Sequence, residues 1–258
     1  MNRWLRYRVA FQTILTKEIL RFSRIWVQTV LPPAITTMLY YVIFGNLIGQ
    51  RIGEMDGVRY IDFIVPGLIL MAVITNSYSN VVSSFFSSKY QRHVEELLIS
   101  PVPNWVILGG YVAGGVARGV VVGVVVTIVS LFFSNLDINS YGWTLAVFVL
   151  TSILFALGGF INAVYARSFD DISIVPTFVL TPLTYLGGVF YSIGMLPEVW
   201  QKISLANPVL YMINAFRYGL LGVTDIPIGL ALTIILLFIA GLTWFSLYLL
   251  ARGIGIKS

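Results

Sequence analysis

The sequence predicts an all-α polytopic membrane protein with six transmembrane helices. Three observations carry that expectation. Only 10% of the residues are charged and 58% are hydrophobic, whereas a soluble domain carries about 25% charged residues. Apolar stretches recur at close to the roughly 20 residues that cross a bilayer as a helix. Basic residues also collect in alternate loops, as the positive-inside rule requires.

Residues 1–24 read as an amphipathic helix lying in the membrane interface. At about 100° per residue, Trp4, Tyr7, Phe11, Leu15, Phe22 and Ile25 share one face, beside a stripe of Arg3, Arg6, Lys17, Arg21 and Arg24. That pattern places the apolar face in lipid with the cations reaching for headgroups. The apolar run Ile25 to Ile48 is too long for the core of a secretory signal and lacks a small-residue cleavage site, so it reads as an uncleaved first span.

The crossings are expected at 25–48, 63–86, 105–133, 142–166, 172–194 and 226–251. With the N-terminus inside, Arg3, Arg6, Arg8, Lys17, Arg21, Arg24, Lys89, Arg92, Arg167, Arg252 and Lys257 fall in cytoplasmic segments, against Arg51, Arg59 and Lys202 outside. Pro208–Gly222 is apolar but too short to cross, so it should dip in and return. Counting it as a seventh span would move Arg252 and Lys257 outside and weaken the charge bias. No linker or internal repeat divides the chain. It reads as one all-helical membrane domain over 1–258: the interface helix (1–24), spans one to five (25–194), the re-entrant segment (195–225) and span six (226–251).

Several motifs invite a chemical reading. The third span carries Gly109, Gly110, Gly114, Gly115, Gly119 and Gly123. A phosphate loop would need Lys and Ser/Thr after Gly119, where Val120 and Val121 stand. Gly115, Gly119 and Gly123 instead have the spacing that lets helices approach closely. Arg118 interrupts the same span, at a cost of about 2.5–3.5 kcal/mol on insertion scales, and must find carbonyls, the Asn/Ser stripe of span two, or cargo. That stripe, Asn76, Asn80, Ser83 and Ser84, fits either interhelical hydrogen bonding or the lining of a transport route. Asp170-Asp171 reads as a helix cap. His93 is the only histidine and there is no cysteine, so disulfides, thiolate chemistry and a His-based triad or metal site are excluded. The loop between spans two and three, Lys89 to Leu98, reads as a short charged amphipathic helix stopped by Pro101 and Pro103, of a kind that a soluble partner grips. Arg217 lies in the short segment, where it either shapes the exoplasmic exit with Tyr211 and Tyr218 as interfacial neighbours or anchors to lipid phosphate.

All eleven acidic residues, from Glu18 to Asp225, are expected in loops or at span ends. That disfavours a secondary active transporter, the alternative reading, because proton or sodium coupling uses intramembrane acids. No nucleophile–base set occurs in the spans, so the chain is not read as an enzyme.

The segments RFSRIWVQTVLPP (Arg21–Pro33), FIVPGLI (Phe63–Ile69), EELLISPVP (Glu95–Pro103), FDDISIVPTFVLTPLTYLGGVFYS (Phe169–Ser192) and NPVLYMINAFRYGLLG (Asn207–Gly222) occur in that order. Together they resemble the permease subunits of type-2 ATP-binding-cassette exporters, which include lipo-oligosaccharide, polysaccharide and drug-efflux permeases, and within them the YadH-like bacterial inner-membrane permeases. The resemblance implies a half-transporter. Two copies would form the pathway and pair with two copies of a cytoplasmic ATP-binding-cassette ATPase, which would hold ATP and Mg; the permease itself would need no cofactor or metal. It implies a multi-pass protein with both termini cytoplasmic, contacts to membrane lipids and none to nucleic acid. It places ATPase coupling near 88–100, on Lys89, Arg92, His93, Glu95, Glu96 and Leu97. Beside the resemblance, the candidate pathway or gate residues are Asn76, Asn80, Arg118, Pro182, Tyr185, Tyr211 and Arg217. The segment after span five would form exoplasmic re-entrant helices.

Overall fold

The computed structural model describes residues 3–136 and 138–255. Asp137 and Lys257, which entered the charge reading above, lie outside the described residues. Within the described residues the chain is all-α apart from one hairpin with strands of two residues each. Among the described residues, five helices are long and apolar enough to cross a membrane: Trp26–Ile52, Tyr60–Tyr90, Asn104–Ser130, Tyr141–Tyr165 and Ile228–Arg252.

Helix α1 (Arg3–Arg24) leads into α2 (Trp26–Tyr40), which continues through a π-helical stretch (Tyr41–Ile48) into α3 (Gly49–Ile52). Strands β1 (Glu54–Met55) and β2 (Val58–Arg59) follow, pairing Glu54 with Arg59 and Met55 with Val58. Their turn, Asp56-Gly57, has both residues at positive φ (51° and 80°). An Asp-Gly pair suits the tight turns that join such strands, because both residues tolerate that region.

Helix α4 (Tyr60–Tyr90) is the hub, packed on α6 (Asn104–Ser130) and α7 (Tyr141–Tyr165). In its most apolar window 78% of the residues are buried, against 17% in the α2 span and 11% in α12 (Ile228–Arg252), which are the peripheral elements. Small residues make the packing possible. A Cβ on Gly115 would stand 2.6 Å from Val81 Cγ2 on α4, and one on Gly159 of α7 2.5 Å from the Tyr78 carbonyl oxygen. The close-approach reading of Gly115, Gly119 and Gly123 thus holds. Gly119 faces Ser77 and Ser152, and Gly123 faces Phe148 and Val73.

The fifth predicted span needs correction. Helix α8 (Asp171–Val175), a π-helical turn (Pro176–Leu180) and α9 (Thr181–Tyr185) form a helical run ending at Tyr185, not 194. At 1.5 Å per residue it rises about 22 Å, short of the roughly 30 Å hydrocarbon core. Pro176 and Pro182 remove backbone donors. The Thr181 hydroxyl donates to the Pro176 carbonyl at 2.9 Å, and Gly188 then turns the chain at φ 77°. Beyond it lie α10 (Glu198–Leu205) and α11 (Pro208–Leu221).

The loop after α4 also differs from the expected single helix. Lys89 and Tyr90 end α4, Arg92 takes a left-handed turn (φ 62°), and α5 covers only His93–Ile99.

Candidate pathway and coupling end

Helix α1 is fixed to the bundle by a buried polar network. Glu18 is fully buried. Its carboxylate accepts from the Ser84 hydroxyl (2.5 Å), Arg21 Nη2 (3.3 Å) and Asn80 Nδ2 (3.4 Å). Arg21 Nη2 also donates to the Asn80 carbonyl (2.7 Å) and side-chain oxygen (2.8 Å), and Arg21 Nη1 to Ser83 (3.2 Å). Lys17 Nζ reaches Ser88 (3.3 Å), which also accepts from the Tyr111 hydroxyl (3.2 Å). Asn80, Ser83 and Ser84 therefore serve interhelical bonding. Glu18, expected among acids in loops or at span ends, lies instead within α1 and is buried against α4 and α6.

The packed face of α1 is correspondingly different from the expected lipid face. Ile14, Glu18 and Phe22 are its buried residues. A Cβ on Gly110 would stand 2.6 Å from Ile14 Cγ2, and one on Gly114 would overlap Glu18 Cβ. Glycine at these two α6 positions admits α1. Trp4 and Ile25, expected on the lipid-facing side, are exposed, as are Leu5, Val9 and Leu20, whereas Phe22, expected on that same face, is buried in the bundle.

Asn76 and Arg118 meet elsewhere. They line a cavity of about 340 Å³ between α2 and α4, with Gln28, Thr36 and Tyr40 on one wall and Met71, Thr75 and Ser79 on the other. Asn76 donates to the Ala72 carbonyl of its own helix (3.0 Å). Arg118 Nε is buried without an acceptor among the described residues. Tyr40 extends the cavity to α9 through a hydroxyl–hydroxyl contact of 2.6 Å with Tyr185. Tyr40, Phe44 and Tyr185 all pack on Phe190, at centroid distances of 5.6, 4.5 and 5.8 Å. Pro182, on the same short helix as Tyr185, is exposed.

Arg217 faces inward, which removes the headgroup-anchor reading. It is 1% exposed. Its Nη2 donates to the Gly188 carbonyl (2.5 Å) and its guanidinium lies 3.8 Å from the Phe63 ring centroid. Nε and Nη1 have no acceptor among the described residues. Tyr211 is likewise buried, its hydroxyl donating to the Leu205 carbonyl (2.7 Å). Helix α11 starts beside α9, where Asn207 Nδ2 donates to the Leu183 carbonyl (2.6 Å). It ends against the start of α7, where Ser140 N–H donates to the Gly219 carbonyl (2.8 Å). With 14 residues it rises about 21 Å, too little to cross.

At the opposite end of α4, Lys89 Nζ donates to the Val164 (2.5 Å) and Ala166 (2.7 Å) carbonyls. It satisfies the last carbonyls of α7, as a cation at a helix C-terminus does. Lys89 is thus bound within the bundle and does not belong to α5. Val94 buries α5 against the bundle, and Leu97 packs partly on the core. Arg92, His93, Glu96 and Ile99 are exposed, while Glu95 is half-buried. Sequence reasoning passed over Ile99, whose 83% exposure makes it the apolar centre of that surface.

Of the acidic pair, Asp171 caps the helix start as expected, while the Asp170 side chain makes no cap hydrogen bond. The Asp171 carboxylate accepts from Arg167 N–H (2.8 Å) and Ser168 N–H (3.1 Å), while Asp171 N–H donates to the Ser168 hydroxyl (3.2 Å). This is a capping box with Asp in the acidic position. The Arg167 amide first, and then Ser168, hold the Asp171 carboxyl below the usual carboxylate range.

The family model described as ABC-2 type transporter matches residues 9–221. The chain is 56% identical over 252 residues to "Inner membrane transport permease YadH" of Escherichia coli (strain K12), covering 98% of each chain. It is 24% identical over 215 residues to "Nodulation protein J" of Rhizobium meliloti (strain 1021), covering 83% of this chain and 82% of that one. An all-α membrane-type bundle, a polar cavity between two long helices and a short exposed helix at one end accord with that match, and the chain belongs to the ABC-2 type transporter family.

Proposed function

We propose that this chain is the membrane-spanning subunit of an ATP-driven exporter in a bacterial inner membrane, working as a homodimer with two copies of a separate cytoplasmic ATPase. ATP and Mg belong to that partner. Both termini are cytoplasmic. The helical run Asp171–Tyr185 is itself too short to span, and the sixth crossing is completed by the irregular segment 186–192, whose Gly187, Gly188, Val189 and Ser192 are buried in protein. Helices α10 and α11 enter and leave from the outer side, and the free face of α1 rests on lipid.

The observation that carries this reading is α5. Its Arg92–His93–Glu96–Ile99 surface is exposed while Val94 ties it to the bundle. A displacement of α5 passes directly to α4. That helix forms one wall of the Arg118 cavity through Met71, Thr75 and Ser79, and holds Arg217 through Phe63. One rigid helix thereby joins a docking surface to a cavity wall and to the α10–α11 hairpin, which suits a hinge or rocking transition between two states.

The test is Glu95→Arg with Glu96→Arg, assayed for ATPase co-purification and for hydrolysis by the complex. Loss of both with a normally folded membrane domain is expected. Unchanged co-purification and hydrolysis would remove α5 from the coupling path.

A further inference from the structure

Resting on the permease reading above, we infer that the α2–α4 cavity receives the anionic headgroup of an amphiphilic cargo, with the Arg118 guanidinium as its counter-ion. Arg118 sits near the midpoint of α6, where a charge is costly unless paired. Its Nε is buried without an acceptor, and no carboxylate lines the cavity among the described residues. A neighbouring charge acting on Arg118 is another cation, Arg21, whose own charge is held by Glu18.

A second copy of the chain is poorly placed to supply the missing anion. The exposed acids Glu54, Asp56, Glu96, Asp170, Glu198 and Asp225 stand at helix ends or in loops, away from the depth of Arg118. The remaining lining matches an amphiphile. Thr36, Thr75, Asn76 and Ser79 offer hydroxyl and amide groups around a headgroup, while Pro32 and Leu68 offer apolar contact to a chain. The volume of about 340 Å³ lies at the lower end of small-molecule sites, roughly 300–1,000 Å³, enough for a headgroup with the rest of the molecule leaving between α2 and α4. Guanidinium favours phosphate and carboxylate because its planar donors match two oxygens at once.

The experiment titrates the purified permease, without ATPase or ATP, in a non-ionic detergent and reads bound species by native mass spectrometry. The probes are dodecyl phosphate, dodecylphosphocholine and inorganic phosphate. Dodecyl phosphate is expected to add saturably at one per chain. Arg118→Gln should weaken it at least about tenfold, the loss of one charge-assisted hydrogen bond, and Arg118→Lys should weaken it less. Thr75→Phe fills the cavity with Arg118 in place and should also abolish binding, which keeps the test decisive if Arg118→Gln misfolds.

Equal binding by Arg118→Gln, or unchanged binding by Thr75→Phe, would overturn the site. Equal binding of dodecylphosphocholine would overturn the requirement for a net anion, and equal binding of inorganic phosphate the requirement for an amphiphile. A phosphatidylglycerol that co-purifies at this site and is not displaced by dodecyl phosphate would mark a resident lipid and overturn the cargo assignment. No ATPase enters the assay, so its failure leaves the coupling proposal standing, and failure of coupling leaves these binding results intact.

Discussion

Arg217 donates to the Gly188 carbonyl at 2.5 Å, joining α11 to the turn that ends the α8–α9 run. The same guanidinium lies 3.8 Å from the centroid of Phe63 on α4. Three segments therefore meet on one planar cation. Lysine keeps the charge but cannot stack or fork. Arg217→Lys should lower the unfolding temperature and abolish transport, and Arg217→Leu should do the same. The loss of a charged hydrogen bond and its stacking corresponds to about 1.5–3 kcal/mol. Thermal unfolding in detergent and a transport assay check this; wild-type behaviour of Arg217→Lys would show that charge alone suffices.

Glu18 should be a stability residue. Glu18→Ala leaves Arg21, Asn80 and Ser84 short of a shared acceptor. Because Arg21 keeps its Asn80 bonds, the expected cost is about 1–3 kcal/mol. Glu18→Gln should cost less, since its amide oxygen still accepts. Thermal unfolding of the two variants measures the difference. Transport that keeps its rate in Glu18→Gln across pH would also confirm that this carboxylate carries no proton.

The α1–α6 contact predicts a contrast between two glycines of α6. A Cβ on Gly114 overlaps Glu18, whereas one on Gly109 meets Phe11 at an ordinary 3.6 Å. Gly114→Ala should destabilise by about 1–3 kcal/mol through overpacking. Gly109→Ala should be neutral or slightly stabilising because alanine favours helix. Equal unfolding temperatures for the pair would mean α1 does not lie along this stripe.

The Asp171 cap predicts a pH dependence. Its folded carboxyl is held below the ordinary value by the Arg167 and Ser168 amides. A depressed carboxylate pKa stabilises fully above the unfolded value, about 3.9. The contribution then fades as pH falls through the folded value. Asp171→Asn should therefore lower the unfolding temperature at neutral pH, and the gap to wild type should close on acidification below about pH 4. A gap that stays constant with pH would assign the effect to something other than the carboxylate.

Much of the fold was legible because long apolar runs have one dominant solution in a bilayer. The five long helices fall close to their expected bounds for that reason. The fifth predicted span extended too far because hydropathy is blind to the donors missing at Pro176 and Pro182 and to the left-handed turn at Gly188. The hairpin at Glu54–Arg59 lies in the loop expected between the first two spans, and its strands of two residues each are too short to carry a periodic signal. Glu18 and Arg21 look like an ordinary surface pair at i,i+3. Only the approach of α1 to Asn80, Ser83 and Ser84 turns them into a buried network. The inward turn of Arg217 was equally hidden, since a short segment fixes depth but not which way a side chain faces. Arg118 was legible as a cost, and the structure adds the cavity that the cost implies.

The central claim is that α5 is where an ATPase grips this permease. The natural absence of cysteine makes single-cysteine variants clean probes. Cysteines placed at Ile99, 83% exposed on α5, and at the exposed Lys202 on α10 should behave oppositely in membranes co-expressing the ATPase and treated with a short bifunctional crosslinker. The account predicts an Ile99→Cys adduct with the ATPase and none from Lys202→Cys, which should instead react with an impermeant label in cells whose inner membrane is intact. Crosslinking from Lys202→Cys, or none from Ile99→Cys at normal complex yield, would contradict it.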